Sequence, residues 1–116
     1  MNLNELRDMV KAQNRLWWTD LETWKPIKRN KAELLALIHS EVSECLEGVR
    51  KGLMDDHLPS RTMEEVELAD VIIRVLDYCG GYGLDIEGAV FEKIHYNQTR
   101  TDHKLENRRA EGGKKF

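Results

Sequence analysis

A chain of 116 residues, 41% hydrophobic and 34% charged, holds enough apolar material for one small core, which excludes wholesale disorder. Its 18 basic and 21 acidic side chains give net −3, yet residues 100–116 alone carry six basic and three acidic ones. The acidic body argues against a duplex nucleic-acid partner, and the lack of an 18-residue apolar run argues against a membrane span. Cys45 and Cys79 lie inside apolar runs and read as reduced core thiols, and the N-terminus lacks the apolar stretch of a secretory leader; both point to a cytoplasmic protein.

The periodicity is helical throughout. Asn2 with Glu5 marks the start of a first helix over residues 3–17, followed by a loop over 19–30 that holds Trp24, Pro26 and a basic cluster at Lys25, Lys28 and Arg29. Asn30 and Glu33 open a second helix, and Gly52 closes it after Arg50 and Lys51. Its predicted buried stripe is Leu34, Ile38, Val42, Cys45 and Val49. Thr62 and Glu65 form a capping box for a third helix that is expected to stop at Gly80 and Gly81. The core face of that helix is predicted at Val66, Ala69, Ile72 or Ile73, Leu76 and Cys79. A fourth helix runs from near Asp85 to about Arg100, with Val90, Phe91 and Ile94 apolar. The expectation is an all-α four-helix domain over residues 1–100 and a basic C-terminal arm over 101–116.

Acidic pairs at i,i+3 carry no information by number: chance predicts about four at this composition. Placement is more telling. Glu41 and Glu44 border the apolar stripe of the second helix, and Glu67 and Asp70 flank that of the third. Acids at a core edge are costly unless their charge is compensated. If the two helices form an antiparallel hairpin, all four carboxylates lie at similar height, roughly 8–16 Å from the connecting loop. Their mutual repulsion is resolved by a hard cation such as Mg²⁺, which accepts carboxylate oxygens, keeps waters and reaches for phosphate. The plainer alternative is a solvated helix edge, with Arg74 as an i,i+4 partner for Asp70.

Glu41-Val-Ser-Glu44, a 22-residue gap and Glu67-Leu-Ala-Asp70 together resemble the Glu-x-x-Glu…Glu-x-x-Asp signature of MazG-like nucleotide pyrophosphohydrolases. The resemblance continues through Lys93, Asn97 and Arg100, which match a Lys-x-x-x-Asn-x-x-Arg motif, and covers about two-thirds of the chain. It implies a four-helix MazG-like bundle assembled as a homodimer or dimer of dimers. It also implies Mg²⁺-dependent (Mn²⁺ as substitute) cleavage of a (d)NTP between the α and β phosphates, giving (d)NMP and pyrophosphate. Glu41, Glu44, Glu67 and Asp70 would then be the metal ligands and catalytic carboxylates, with Lys93, Asn97 and Arg100 on substrate.

A tryptophan in the region of Trp24 looks like the family's base-stacking position, while Trp17 or Trp18 reads as a packing residue. The arm, through Lys114 or Lys115, is a candidate cover for the triphosphate. Two other readings remain at this level: a non-catalytic helical dimerisation or interaction protein, and an RNA-binding regulator using the basic arm. Base choice is not legible.

Overall fold

The computed structural model describes residues 1–99 together with Arg109 and Gly112. Among them are four α-helices and no strand: α1 (Leu3–Gln13), a 3₁₀ turn (Arg15–Trp18), α2 (Lys31–Lys51), α3 (Met63–Gly81) and α4 (Ile86–Thr99). The described residues divide into two units, Met1–Leu84 and a second one that begins at Asp85.

In the first unit, α2 and α1 both pack on α3, which is the central element. The helix boundaries follow the predicted caps. Asn2, Asn30 and Thr62 each accept a hydrogen bond from the backbone N–H three residues on, and Thr62 completes its box with Glu65. Gly52 ends α2 in the left-handed conformation, at φ 62°, which L side chains rarely adopt.

Two boundaries differ from expectation. The first helix stops at Gln13, because Asn14 leaves the helical region and the chain tightens into the 3₁₀ turn. The third helix runs through Gly80 and Gly81 instead of stopping there. These glycines serve packing. A Cβ on Gly80 would lie 3.0 Å from Lys11 Cβ, and one on Gly81 would overlap the Trp18 ring. Removing both side chains lets α1 and Trp18 approach the α3 backbone.

The buried face of α2 is also rotated by one position from the predicted stripe. Leu34, Cys45 and Gly48 are buried with Glu41 half-buried between them, whereas Val42 and Val49 are about half exposed. Gly48 explains the shift. Its missing side chain admits Met63, whose Cγ would stand 2.7 Å from a Cβ there, and Cys45 Sγ reaches the Glu64 carbonyl at 3.7 Å. On α3, Leu76 and Cys79 are core as expected, while Ala69, Ile72 and Ile73 are exposed. The half-buried row facing α2 includes Glu67, Asp70 and Arg74. Acids thus occupy the helix seam itself, not only its edge.

In the second unit α4 is capped by Asp85, whose Oδ1 accepts the Gly88 N–H at 2.9 Å. It has no buried residue, and Phe91 and Ile94 are 66% and 50% exposed.

Candidate functional site

Glu41 comes from the middle of α2, and Glu67 and Asp70 from the first half of α3. One carboxylate oxygen from each lies within 4.8 Å of the other two. The i,i+3 spacing puts Glu67 and Asp70 on one face of α3, and the antiparallel seam sets Glu41 opposite them. Glu44, one turn further along α2, is exposed and stands outside this trio, although its charge still acts on Glu67. The predicted four-carboxylate cluster is therefore a cluster of three with a fourth acid at its margin, because the α2 face turned to α3 is centred on Glu41 and Cys45.

Arg74 does not pair with Asp70 along the helix. Its Nε donates across the seam to Glu41 Oε1 at 2.8 Å, and the Glu41 side chain is only 15% exposed. Burial pushes Glu41 up, but the hydrogen bonds from Arg74 and Glu67 and the guanidinium charge outweigh it and hold the carboxyl below its usual range. Glu67 goes the other way. A hydrogen bond to Glu41, burial, and the charges of Glu41, Asp70 and Glu44 raise it to about 7. Asp70 is also raised, by burial and by the Glu41 charge against the opposing pull of Arg74. Glu41 therefore favours its ionised form, and Glu67 holds a proton more strongly than a free carboxyl does. Three oxygen donors with no nitrogen or sulfur among them suit a hard divalent cation. Such a cation would take the place of that proton.

Beside Glu41 and Asp70 lies a cavity of about 480 Å³. Arg29, Arg74 and Asp77 supply charge to its wall, and Asn14 and Trp17 line it from the first helical region. The two tryptophans are placed differently with respect to this cavity. Trp24 does not line the cavity; it closes the 20–24 turn at φ 59°, its N–H bonded to the Asp20 carbonyl, and is 69% exposed. Trp17 lines the cavity instead. Its neighbour Trp18 is the packing residue: its ring lies over Gly81 and edge-on to Tyr82, and its Nε1 donates to Asp77 Oδ1 at 3.0 Å.

Asn14 and Asp77 were not singled out in the sequence, Arg29 was noted only as part of the loop's basic cluster, and Trp17 only as a packing candidate. Asp77 did leave a signal: Glu67, Asp70, Arg74 and Asp77 step by three, four and three along one face of α3. Lys93 and Asn97 share a face of α4, as expected, bordering a shallow apolar hollow with Ala89, Val90 and Ile94, and Lys93 Nζ lies 4.7 Å from the Tyr96 ring centroid. Arg100, Lys114 and Lys115 lie outside the described residues. No helix among the described residues is long and apolar enough to cross a membrane. No family model, curated protein or solved structure matches the chain.

Proposed function

We propose that the protein is a Mg²⁺-dependent nucleoside triphosphate pyrophosphohydrolase, converting a (d)NTP to (d)NMP and pyrophosphate. The observation that carries this reading is the carboxylate trio of Glu41, Glu67 and Asp70, half-buried in a helix seam beside a nucleotide-sized cavity with arginines on its wall. Acids held this close, at the expense of raising Glu67 and Asp70, need a reason beyond packing. The Glu-x-x-Glu…Glu-x-x-Asp resemblance supplies the same three residues.

Glu41, Glu67 and Asp70 would hold the cation, with Glu44 at its margin. When bound, Mg²⁺ neutralises polyphosphate charge and lowers the pKa of a water. Arg74 fixes the Glu41 carboxylate through the Nε bond and, with Arg29, offers guanidinium donors to phosphate oxygens. Trp17 and Asn14 offer a flat face and an amide to the nucleoside, the role expected of Trp24. Lys93, Asn97 and Arg100 remain substrate-binding candidates through their motif.

Self-association belongs to the same reading. Leu35, Val42, Leu46 and Val49 form an outward stripe on α2, each 45–59% exposed, and α4 buries none of its own apolar residues. Faces of this kind call for cover, and a second copy of the chain supplies it. The rival reading, a non-catalytic helical interaction protein, accounts for these stripes but leaves the acid trio without a purpose.

The deciding experiment incubates the chain with each (d)NTP and Mg²⁺ and resolves the products. Monophosphate and pyrophosphate are expected, in a dimer or larger species by light scattering. Release of orthophosphate, or no turnover of any nucleotide, rejects the proposal.

A further inference from the structure

A second cavity, of about 380 Å³, is lined by the 3₁₀ turn, the loop that follows it and the end of α3, and its charge is opposite to that of the acidic cluster. Its wall carries Lys11, Arg15, Lys28 and Arg29 and no carboxylate. None of the four makes a close ion pair with an acid among the described residues, although Lys11 acts on the Asp8 charge and Arg29 also lines the cavity of Glu41 and Asp70. Gathered around one hollow, the four give it a positive field that favours an anion.

The hollow is also aromatic. Trp18 and Tyr82 line it with their rings 5.4 Å apart and nearly perpendicular, and Pro26 and Ile27 add apolar surface. The Arg29 guanidinium stands 5.3 Å from the Trp18 ring centroid, and Lys31 Nζ 4.5 Å from that of Tyr82.

This wall is built in advance. The Thr19–Pro26 bridge, the Ile27 N–H to Trp18 carbonyl bond at 2.9 Å and the Tyr82 hydroxyl to Arg29 carbonyl bond at 3.0 Å fix the basic loop against the 3₁₀ turn and the end of α3. Gly81 is a glycine so that the Trp18 ring can lie on the helix backbone at the pocket floor. Rigid placement of cations around an apolar, aromatic pocket lowers the cost of ordering them on binding.

We propose that this pocket is a mononucleotide-binding site, separate from the acidic cluster. The cations take a phosphate group, and the apolar lining of Pro26 and Ile27 beside Trp18 and Tyr82 takes the nucleoside. The volume suits a ligand of that size. The pocket also communicates with the acidic cavity: Arg29 lines both, and Trp18 hydrogen-bonds Asp77 on the acidic wall. Occupancy of one is therefore expected to be felt at the other. The assignment itself does not depend on the chain being a hydrolase.

The test is calorimetric titration of the full chain with adenosine monophosphate and, separately, inorganic phosphate, in excess EDTA so that no divalent ion contributes. Binding of the monophosphate is expected, at least tenfold tighter than that of phosphate. It should weaken at least tenfold in R15E/K28E, whose two altered side chains are exposed, and stay unchanged in E67Q. Circular dichroism establishes that the variants are folded, and the Trp18 indole N–H resonance should move on titration while that of Trp24 does not. The proposal is overturned by no binding at millimolar ligand, by equal affinity for phosphate, or by loss in E67Q with retention in R15E/K28E. A single-stranded oligonucleotide binding more than tenfold tighter than the mononucleotide also overturns it, in favour of a nucleic-acid track.

Discussion

The seam between α2 and α3 and the helix α4 both mix apolar with charged residues but use them differently. In the seam, apolar positions of α2 are filled by small residues, Cys45 and Gly48, and charged ones enter the contact as partners: Arg74 with Glu41, and Glu67 with Glu41 and Asp70. In α4 the apolar residues Val90, Phe91 and Ile94 stay exposed, and the Lys93 ammonium lies over the Tyr96 ring of its own helix. A helix seam completes its chemistry within one chain. A helix without a buried side needs another surface to complete it.

The contrast is broken most severely at the carboxylates. Asp70→Asn keeps the side chain's shape but removes a charge from the trio. Turnover of the preferred nucleotide is expected to fall roughly 10²–10³-fold or more, with the helical circular dichroism unchanged. Glu41→Gln should do the same. Near wild-type rates in both would detach the trio from catalysis.

Core truncation sharpens the same contrast through stability. Leu76 is 2% exposed, and Leu76→Ala should cost about 2–5 kcal/mol in denaturant unfolding. Phe91→Ala should change unfolding of the isolated chain by no more than about 0.5 kcal/mol while reducing self-association by analytical ultracentrifugation. Equal losses in the two variants would mean that α4 is core after all.

Proton competition is the next effect in size. Glu67 titrates at about 7, above the usual 4.5, so the folded chain holds a proton there that the unfolded chain releases. Without metal, the stability from this group is full below about 4.5 and declines as pH rises through 7. Glu41 is depressed, so its contribution is present at neutral pH and is lost on acidification through its lowered pKa. A divalent ion needs Glu67 ionised. Its affinity by titration calorimetry should weaken about tenfold per pH unit below 7 and level off above it, with protons released on binding. A flat profile from pH 6 to 8 would remove Glu67 from the ligand set.

The smallest effect lies at the start of the site-bearing helix. Thr62→Ala removes the Oγ1 that accepts the Glu65 N–H at 3.1 Å, and α3 should lose about 1 kcal/mol by thermal unfolding. The acid trio begins only one turn further on, so hydrogen exchange should rise first at Glu67 and Asp70.

Much of the architecture was legible because its signals are local. Asn2, Asn30, Thr62 and Gly52 act on backbone groups within a few residues, and they set the helix ends where the structure has them. The same rules misread Gly80 and Gly81, where the deciding contacts come from Lys11 and Trp18, more than sixty residues away in sequence. That Trp17 and not Trp24 lines the cavity beside Glu41 escaped the sequence for a similar reason. Nothing near either residue states which one the fold turns toward Glu41.

Helical periodicity, cap chemistry and the spacing of Glu41, Glu67 and Asp70 were therefore set by the order of residues, since each acts through one helical turn or through the fixed pitch of a helix. Tertiary packing alone decided the rest: that α2 turns Glu41 rather than Val42 into the seam, that Arg74 crosses to it, and that four cations from α1, the 3₁₀ turn and the following loop surround one aromatic pocket. Those arrangements depend on which glycines let two helices meet, and close approach is a property of pairs of segments, not of either one.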